Sequence, residues 1–154
     1  MPKTLYEACR GNDFKLAKNL LEGGADPNEI FDGVPLLIHI LTDYDIYEIG
    51  SPMEWVRLLV EHGADPNLHD DCYATPLFWA VHHDLDMVKY LIEHGAEPNY
   101  NPDPDDFILS IALDHANSDR LSDPNTHYGK MAGKIEDYLM GLGAKIINPE
   151  YKKA

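Results

Sequence analysis

Eight histidines are the first residues in this chain whose type invites chemistry, and the adjacent pair His82-His83 heads a set with His39, His69 and His115. Zinc would need three or four such ligands converging within about 2.0 to 2.3 Å of one point. No compact spacing such as His-Glu-x-x-His occurs, so no metal is expected. The 27 Asp and Glu residues supply many acid–base pairs, yet a pair becomes catalytic only in a pocket that shifts its pKa values. A Gly-x-Ser-x-Gly elbow, a phosphate loop and a dinucleotide fingerprint are missing from the sequence. The expectation is a protein that is not an enzyme and carries no cofactor. Cys9 and Cys72 match no metal or redox spacing and read as reduced, partly buried thiols.

What remains is charge. With 12 Lys and Arg against those acids the formal net charge is −15. That sign opposes phosphate backbones, which are bound by Lys and Arg clusters that displace counterions. Direct binding to nucleic acid or to an anionic membrane is therefore not expected. The excess reads either as a device for solubility or as a field that would steer a basic partner towards the protein. At 154 residues and 44% hydrophobic content the chain is expected to form one folded domain over residues 1–154. No window holds the roughly 18 to 20 apolar residues of a membrane span, and the opening "MPKTLYEACRGND" lacks the apolar run of a secretory signal. A cytoplasmic protein, monomeric on its own, is the expectation.

The elements that position these residues announce themselves by repetition. "LLEGGADPNEI" (20–30), "LLVEHGADPNL" (58–68), "YLIEHGAEPNY" (90–100) and "YLMGLGAKIIN" (138–148) align on Gly24, Gly63, Gly95 and Gly143, spaced 39, 32 and 48 residues apart. A period of about 33 with two insertions explains the intervals. In each copy an apolar helical stretch runs into Gly-Ala, where the glycine takes the left-handed conformation and stops the helix. Asp-Pro-Asn then turns the chain. His62 and His94, just before their glycines, sit where a cation suits the helix dipole, a structural role rather than ligation.

About thirteen residues after Gly63 comes "ATPLFWAV" (74–81), where Thr75 is placed to cap a helix and Pro76 to fill its first turn. Its counterparts are "VPLLIHI" (34–40) and "FILSIAL" (107–113), which makes Leu36, Leu77 and Leu109 equivalent, and likewise His39, Ala80 and Ala112. In the first copy Leu5 and Ala8 take these places, and Thr4 and Glu7 form a capping box.

These residues resemble the ankyrin repeat family: Thr-Pro-Leu opening one helix, a small residue three positions later, and Gly-Ala-Asp-Pro-Asn closing the next. The resemblance covers nearly the whole chain. It implies an all-α fold, an ankyrin-repeat solenoid of stacked helix-turn-helix units with projecting hairpin loops, in which each unit buries its core against its neighbours. It divides the chain into repeats at about 1–30, 31–68, 69–100 and 101–148, with insertions at about 42–52 and 117–130. Departures are visible. The histidine that often follows Thr-Pro-Leu is Leu37, Phe78 or Ser110, so its hydrogen bonds to the loop backbone are not assumed. Asn12 stands where a glycine is usual and tolerates the left-handed region. "AVHHDLDMV" is one residue short at that turn.

Both insertions enlarge loops between paired helices. After the first, Ser51-Pro52-Met53-Glu54 reads as a capping box with Pro at the first helical position. The expected helices lie near 4–11, 14–23, 35–42, 52–62, 76–83, 85–94, 107–116 and 130–141, with little or no strand. The second helices assign Leu16, Leu20, Leu21, Val56, Leu58, Leu59, Val88, Leu91, Ile92, Ile135 and Leu139 to the core.

Function is expected where the copies disagree. The loops "NEIFDGV" (28–34), "NLHDDCYA" (67–74) and "NYNPDPDDF" (99–107) would set Ile30 and Phe31, then His69, Asp70, Asp71 and Tyr73, then Tyr100, Asp103, Asp105 and Asp106 along one edge. The family's geometry implies a concave surface from the ends of the first helices, which adds Asp43, His82, His83 and His115. The first insertion extends it with Tyr44, Asp45 and Tyr47. Aromatic anchors among acids suit a protein interface. The expected function is a non-enzymatic interaction module whose acidic, tyrosine-bearing face binds a basic partner protein. The alternative is an immunity or counter-defence inhibitor that covers the nucleic-acid-binding site of a nuclease or similar basic protein.

Overall fold

The computed structural model describes residues 3–43, 51–100 and 127–145. The expected helix at 107–116 and most of both insertions lie outside the described residues. Contacts divide the chain into two compact units, Met1–Pro76 and Leu77–Ala154.

The first unit opens with the capping box that the sequence announces. Thr4 Oγ1 accepts from Glu7 N at 3.1 Å, and Thr4 N donates to Glu7 Oε2 at 3.0 Å, which starts helix α1 (Leu5–Arg10). Asn12 turns the chain at φ 52°, the left-handed conformation that its short polar side chain tolerates. Asp13 then caps α2 (Phe14–Glu22) by accepting from Leu16 N at 3.0 Å. Ala17 and Leu21, one helical turn apart, form the buried row of α2. Leu16 and Leu20 lie one residue earlier on the helix and are only half-buried, which corrects their assignment to the core.

A short hairpin follows, β1 (Ile30–Phe31) against β2 (Val34–Pro35), antiparallel with Ile30 opposite Pro35 and Phe31 opposite Val34. It runs into α3 (Leu36–Thr42), in which Leu36, Leu37, Ile38, Ile40 and Leu41 are all buried. A helix apolar nearly all round has to lie inside. The next helix, α4 (Pro52–Glu61), starts with Pro52 as expected, but Ser51 makes no side-chain cap and the second capping box does not form. Glu54 N instead donates to the backbone carbonyl of Ser51 at 3.0 Å, so the donor that the serine hydroxyl would satisfy is already used. Trp55 is almost fully buried. Its Nε1–H donates to Asn12 Oδ1 at 3.2 Å and its ring meets Phe14 edge-on at 5.0 Å, which locks the turn of the first repeat to the second helix of the next.

Helix α5 (Pro76–Ala80) begins on its proline and stops three residues sooner than expected. His82 N and His83 N donate to the carbonyls of Trp79 and Ala80, both at 3.0 Å, a tighter turn than α-helix. The deleted residue is the left-handed one, because no residue between Ala80 and Leu85 has positive φ.

In the second unit Asp84 caps α6 (Leu85–Glu93) through Met87 N at 2.7 Å. Met87, Val88 and Leu91 of α6 are buried, as are Ala132, Ile135 and Leu139 of α7 (His127–Gly141), and the two helices pack together. Ile92 is half-buried rather than core, one position round the helix from Leu91. Helix α7 starts at His127, three residues before the expected 130, so the end of the second insertion is helical.

The repeated Gly-Ala ends α2, α4, α6 and α7 in the same way. Gly24, Gly63, Gly95 and Gly143 have φ of 93°, 96°, 100° and 82°. Their N–H groups donate to Leu21, Val60, Ile92 and Met140, and the alanines after them reach back to Leu20, Leu59, Leu91 and Leu139. This paired 5→2 and 6→1 closure satisfies the last helical carbonyls. His62 and His94 cover one more each, donating Nδ1–H to the carbonyls of Leu58 and Tyr90 at 2.8 Å.

Candidate interaction surface

After Gly24-Ala25 and Gly63-Ala64 the turn does more than reverse the chain. Asp26 Oδ1 accepts from Asn28 N at 2.9 Å, and Asp65 Oδ1 accepts from Asn67 N at 2.8 Å. Held this way, the Asn28 side chain spans to the next repeat: Nδ2 donates to Gly63 O at 3.2 Å and Oδ1 accepts from Asp65 N at 2.7 Å. In the second unit Asn99 does the same with Gly143 O at 3.0 Å and Lys145 N at 2.7 Å. Sequence reasoning treated these asparagines as turn residues. Their shared place four residues after Gly24 and Gly95 was the available signal that they read the copy ahead.

The clamp at Asn28 fixes the base of the first hairpin, and its tip follows from Asp32-Gly33. Both residues have positive φ, 52° and 78°, as a two-residue turn matched to strand twist requires. Phe31, 46% exposed, stacks one face on Tyr6 with centroids 3.9 Å apart and planes at 11°. Its carbonyl accepts from His39 Nε2–H at 2.9 Å, and the His39 ring meets Tyr6 edge-on at 5.0 Å. The loop-backbone bond not assumed from Leu37 is thus made by His39, two residues further along α3. Ile30, 58% exposed, completes the apolar part of this tip.

The second loop is built on Asp70, whose Oδ1 accepts from Cys72 N at 2.9 Å and from Ala74 N at 3.0 Å. Asp70 N donates to Ala74 O, and Tyr73 N to Asp70 O. His69 Nδ1–H donates to the Asp70 carbonyl at 2.9 Å and its ring lies 5.4 Å from that of Tyr73. His69 and Asp70 therefore shape the loop, while Asp71, Cys72 and Tyr73 are exposed. Tyr73 is left-handed at φ 62°, which costs a non-glycine residue about 1 to 2 kcal/mol. The two tips touch, because the Asp71 carboxylate lies in the space that a side chain on Gly33 would fill.

Ile30, Phe31, Asp71 and Tyr73, with His69 and Asp70 behind them, thus belong to one pair of adjoining loops in the first unit. Asp43 is half-buried at the end of α3, its N–H donating to His39 O at 2.9 Å. His82, His83 and Tyr100 belong to the second unit. His82 is exposed and lies edge-on to Phe78 at 5.9 Å, and Tyr100 is 40% exposed beside the Asn99 clamp. Tyr44, Asp45, Tyr47, Asp103, Asp105, Asp106 and His115 lie outside the described residues. Tyr6, which backs Phe31, and Gly33, which admits Asp71, were not among the expected site residues.

Between Lys18 and Arg120 the sequence holds no Lys or Arg except Arg57 and Lys89. Arg57 sits on α4, and Lys89 on α6 with its Nζ 5.6 Å from the Tyr138 ring centroid. Neither is on a hairpin loop. The buried thiol of Cys9 is pushed up to about 12, by desolvation first and then by the charge of Glu29, which keeps it protonated and unreactive. Among the described residues no three His, Cys, Asp or Glu side chains converge as a metal site requires, and no helix is long and apolar enough to cross a membrane. A family model described as ankyrin repeats, in three copies, matches residues 5–102. No curated protein matches the chain.

Proposed function

Because this chain belongs to the ankyrin repeat family, an all-α helix-turn-helix class whose members generally act as protein–protein interaction modules, we propose that its acidic, tyrosine-bearing loop face binds a basic partner protein. The observation that carries this reading is the pairing of exposed Ile30, Phe31 and Tyr73 with acidic loops that carry no Lys or Arg. Aromatic side chains anchor an interface at low entropic cost, and a field of one sign selects partners and speeds encounter. Binding by non-covalent contact accounts for these features without any catalytic group.

Neutralising the tip carboxylates with Asp32→Asn and Asp71→Asn tests the face directly. The control neutralises Glu54 and Glu61, which are exposed on α4. Partner capture from lysate of the native source should fall with the tip pair and persist with the control. Equal behaviour of the two variants would sink the reading. Asp70 is unsuited to this test, because its carboxylate holds the loop together.

A narrower reading sets the same face over the nucleic-acid-binding site of a nuclease or similar basic protein, as an immunity or counter-defence inhibitor would. The net charge of −15 favours it, since the acidic surface then stands in for a polyphosphate. Added duplex DNA should displace such a partner, and capture insensitive to DNA would exclude this version.

A further inference from the structure

We infer that the adjoining tips of the first two loops receive an arginine side chain of the partner, an assignment that rests on the proposed binding of a basic protein by this face. Phe31 offers a flat ring already backed by Tyr6 at 3.9 Å, on a backbone held by the His39 bond to the Phe31 carbonyl. The second ring, Tyr73, is displayed from a left-handed residue that five hydrogen bonds around Asp70 and His69 keep in place. A glycine at this position would meet the backbone demand with no steric cost. The loop holds a tyrosine there and exposes 43% of it, which is an expected arrangement for a side chain used in recognition.

The carboxylates complete the chemistry. Asp71 projects against Gly33 of the neighbouring tip, and Asp32 occupies the turn itself. Neither carboxylate makes a hydrogen bond or ion pair with the described residues, so both keep their acceptor capacity for a ligand. Two uncompensated acids on touching loops favour a cation beside them. A guanidinium satisfies both features at once, because its plane stacks on an aromatic face while its fork pairs with a carboxylate. A lysine ammonium supplies the charge without the plane or the fork.

End-capped hexapeptides that differ only in carrying arginine, lysine or glutamine test the assignment on the full chain at low salt, with binding followed by amide chemical shifts of Gly33, Asp71 and Tyr73. The arginine peptide should bind about fivefold more tightly than the lysine peptide, in keeping with the strength of a partly desolvated cation–π contact. Tyr73→Asn tolerates the same left-handed backbone and should reduce that preference while leaving helicity and the melting temperature intact. Equal binding of the arginine and lysine peptides, both above glutamine, overturns the arginine site and leaves the basic-partner reading standing. No preference for either cationic peptide over glutamine overturns both.

Discussion

Replacing Asn28 with alanine removes two hydrogen bonds that bridge 35 and 37 residues of sequence, to Gly63 O at 3.2 Å and from Asp65 N at 2.7 Å. Each intramolecular bond of this kind contributes about 0.5 to 1.5 kcal/mol net. Both lie at an exposed site, where water can re-solvate the abandoned carbonyl and amide, so the loss should fall at about 1 to 2 kcal/mol. Urea unfolding followed by far-UV circular dichroism measures it. In a cooperative unit of 60 to 100 residues that loss lowers the melting temperature by roughly 4 to 8 °C per kcal/mol. Hydrogen exchange at the Asp65 amide should quicken in parallel. Asn28→Asp keeps an acceptor for Asp65 N but sets oxygen lone pairs against the Gly63 carbonyl, and it should not rescue the loss. A change below about 0.3 kcal/mol, within ordinary scatter for independent surface sites, with Asp65 exchange unaltered, would refute the clamp.

Three further outcomes follow from the same geometry. A thiol reagent at pH 8 should label native protein once per chain, at exposed Cys72 and not at buried Cys9, and two labels on the native protein would contradict the burial of Cys9. Because folding raises the Cys9 pKa from 9.0 to about 12, its contribution is fully present below pH 9 and is lost as pH rises between those values; Cys9→Ala should flatten the alkaline fall in stability across that window. His39→Ala deletes the bond to Phe31 O and one edge of the Tyr6 cluster; it should cost about 1 to 2 kcal/mol and speed amide exchange in the hairpin, and an unchanged hairpin would contradict its anchoring role.

The closures of the second helices were legible because the information is local and repeated. Gly-Ala needs only the left-handed glycine and the two carbonyls behind it, and four copies repeat the signal. Thr4 and Glu7 were legible for the same reason. Ser51 and Glu54 have the same spacing but fail as a box, since Glu54 N bonds the Ser51 carbonyl, a choice of acceptor that no residue pattern states. Leu16, Leu20 and Ile92 show the limit of periodicity: it locates an apolar face to within a residue, and packing then decides which row points inward.

The candidate surface was legible as composition and opaque as geometry. The acids and aromatics of the loops could be named, but not that Asp70 is engaged by its own backbone while Asp71 is presented. Nor could a pattern of residue types show that Phe31 rests on Tyr6, or that His39 takes over a bond whose usual donor is absent. Those facts depend on contacts between segments 8 to 25 residues apart.

The proposed binding of a basic protein by the acidic loop face is tested most directly by capturing partners from native lysate at about 0.05 M and about 1 M salt, where the Debye length shrinks towards roughly 3 Å. The bound protein should be basic, should be retained at low salt, and should be largely released at high salt. A partner of acidic or neutral charge, held equally at both concentrations, would contradict it.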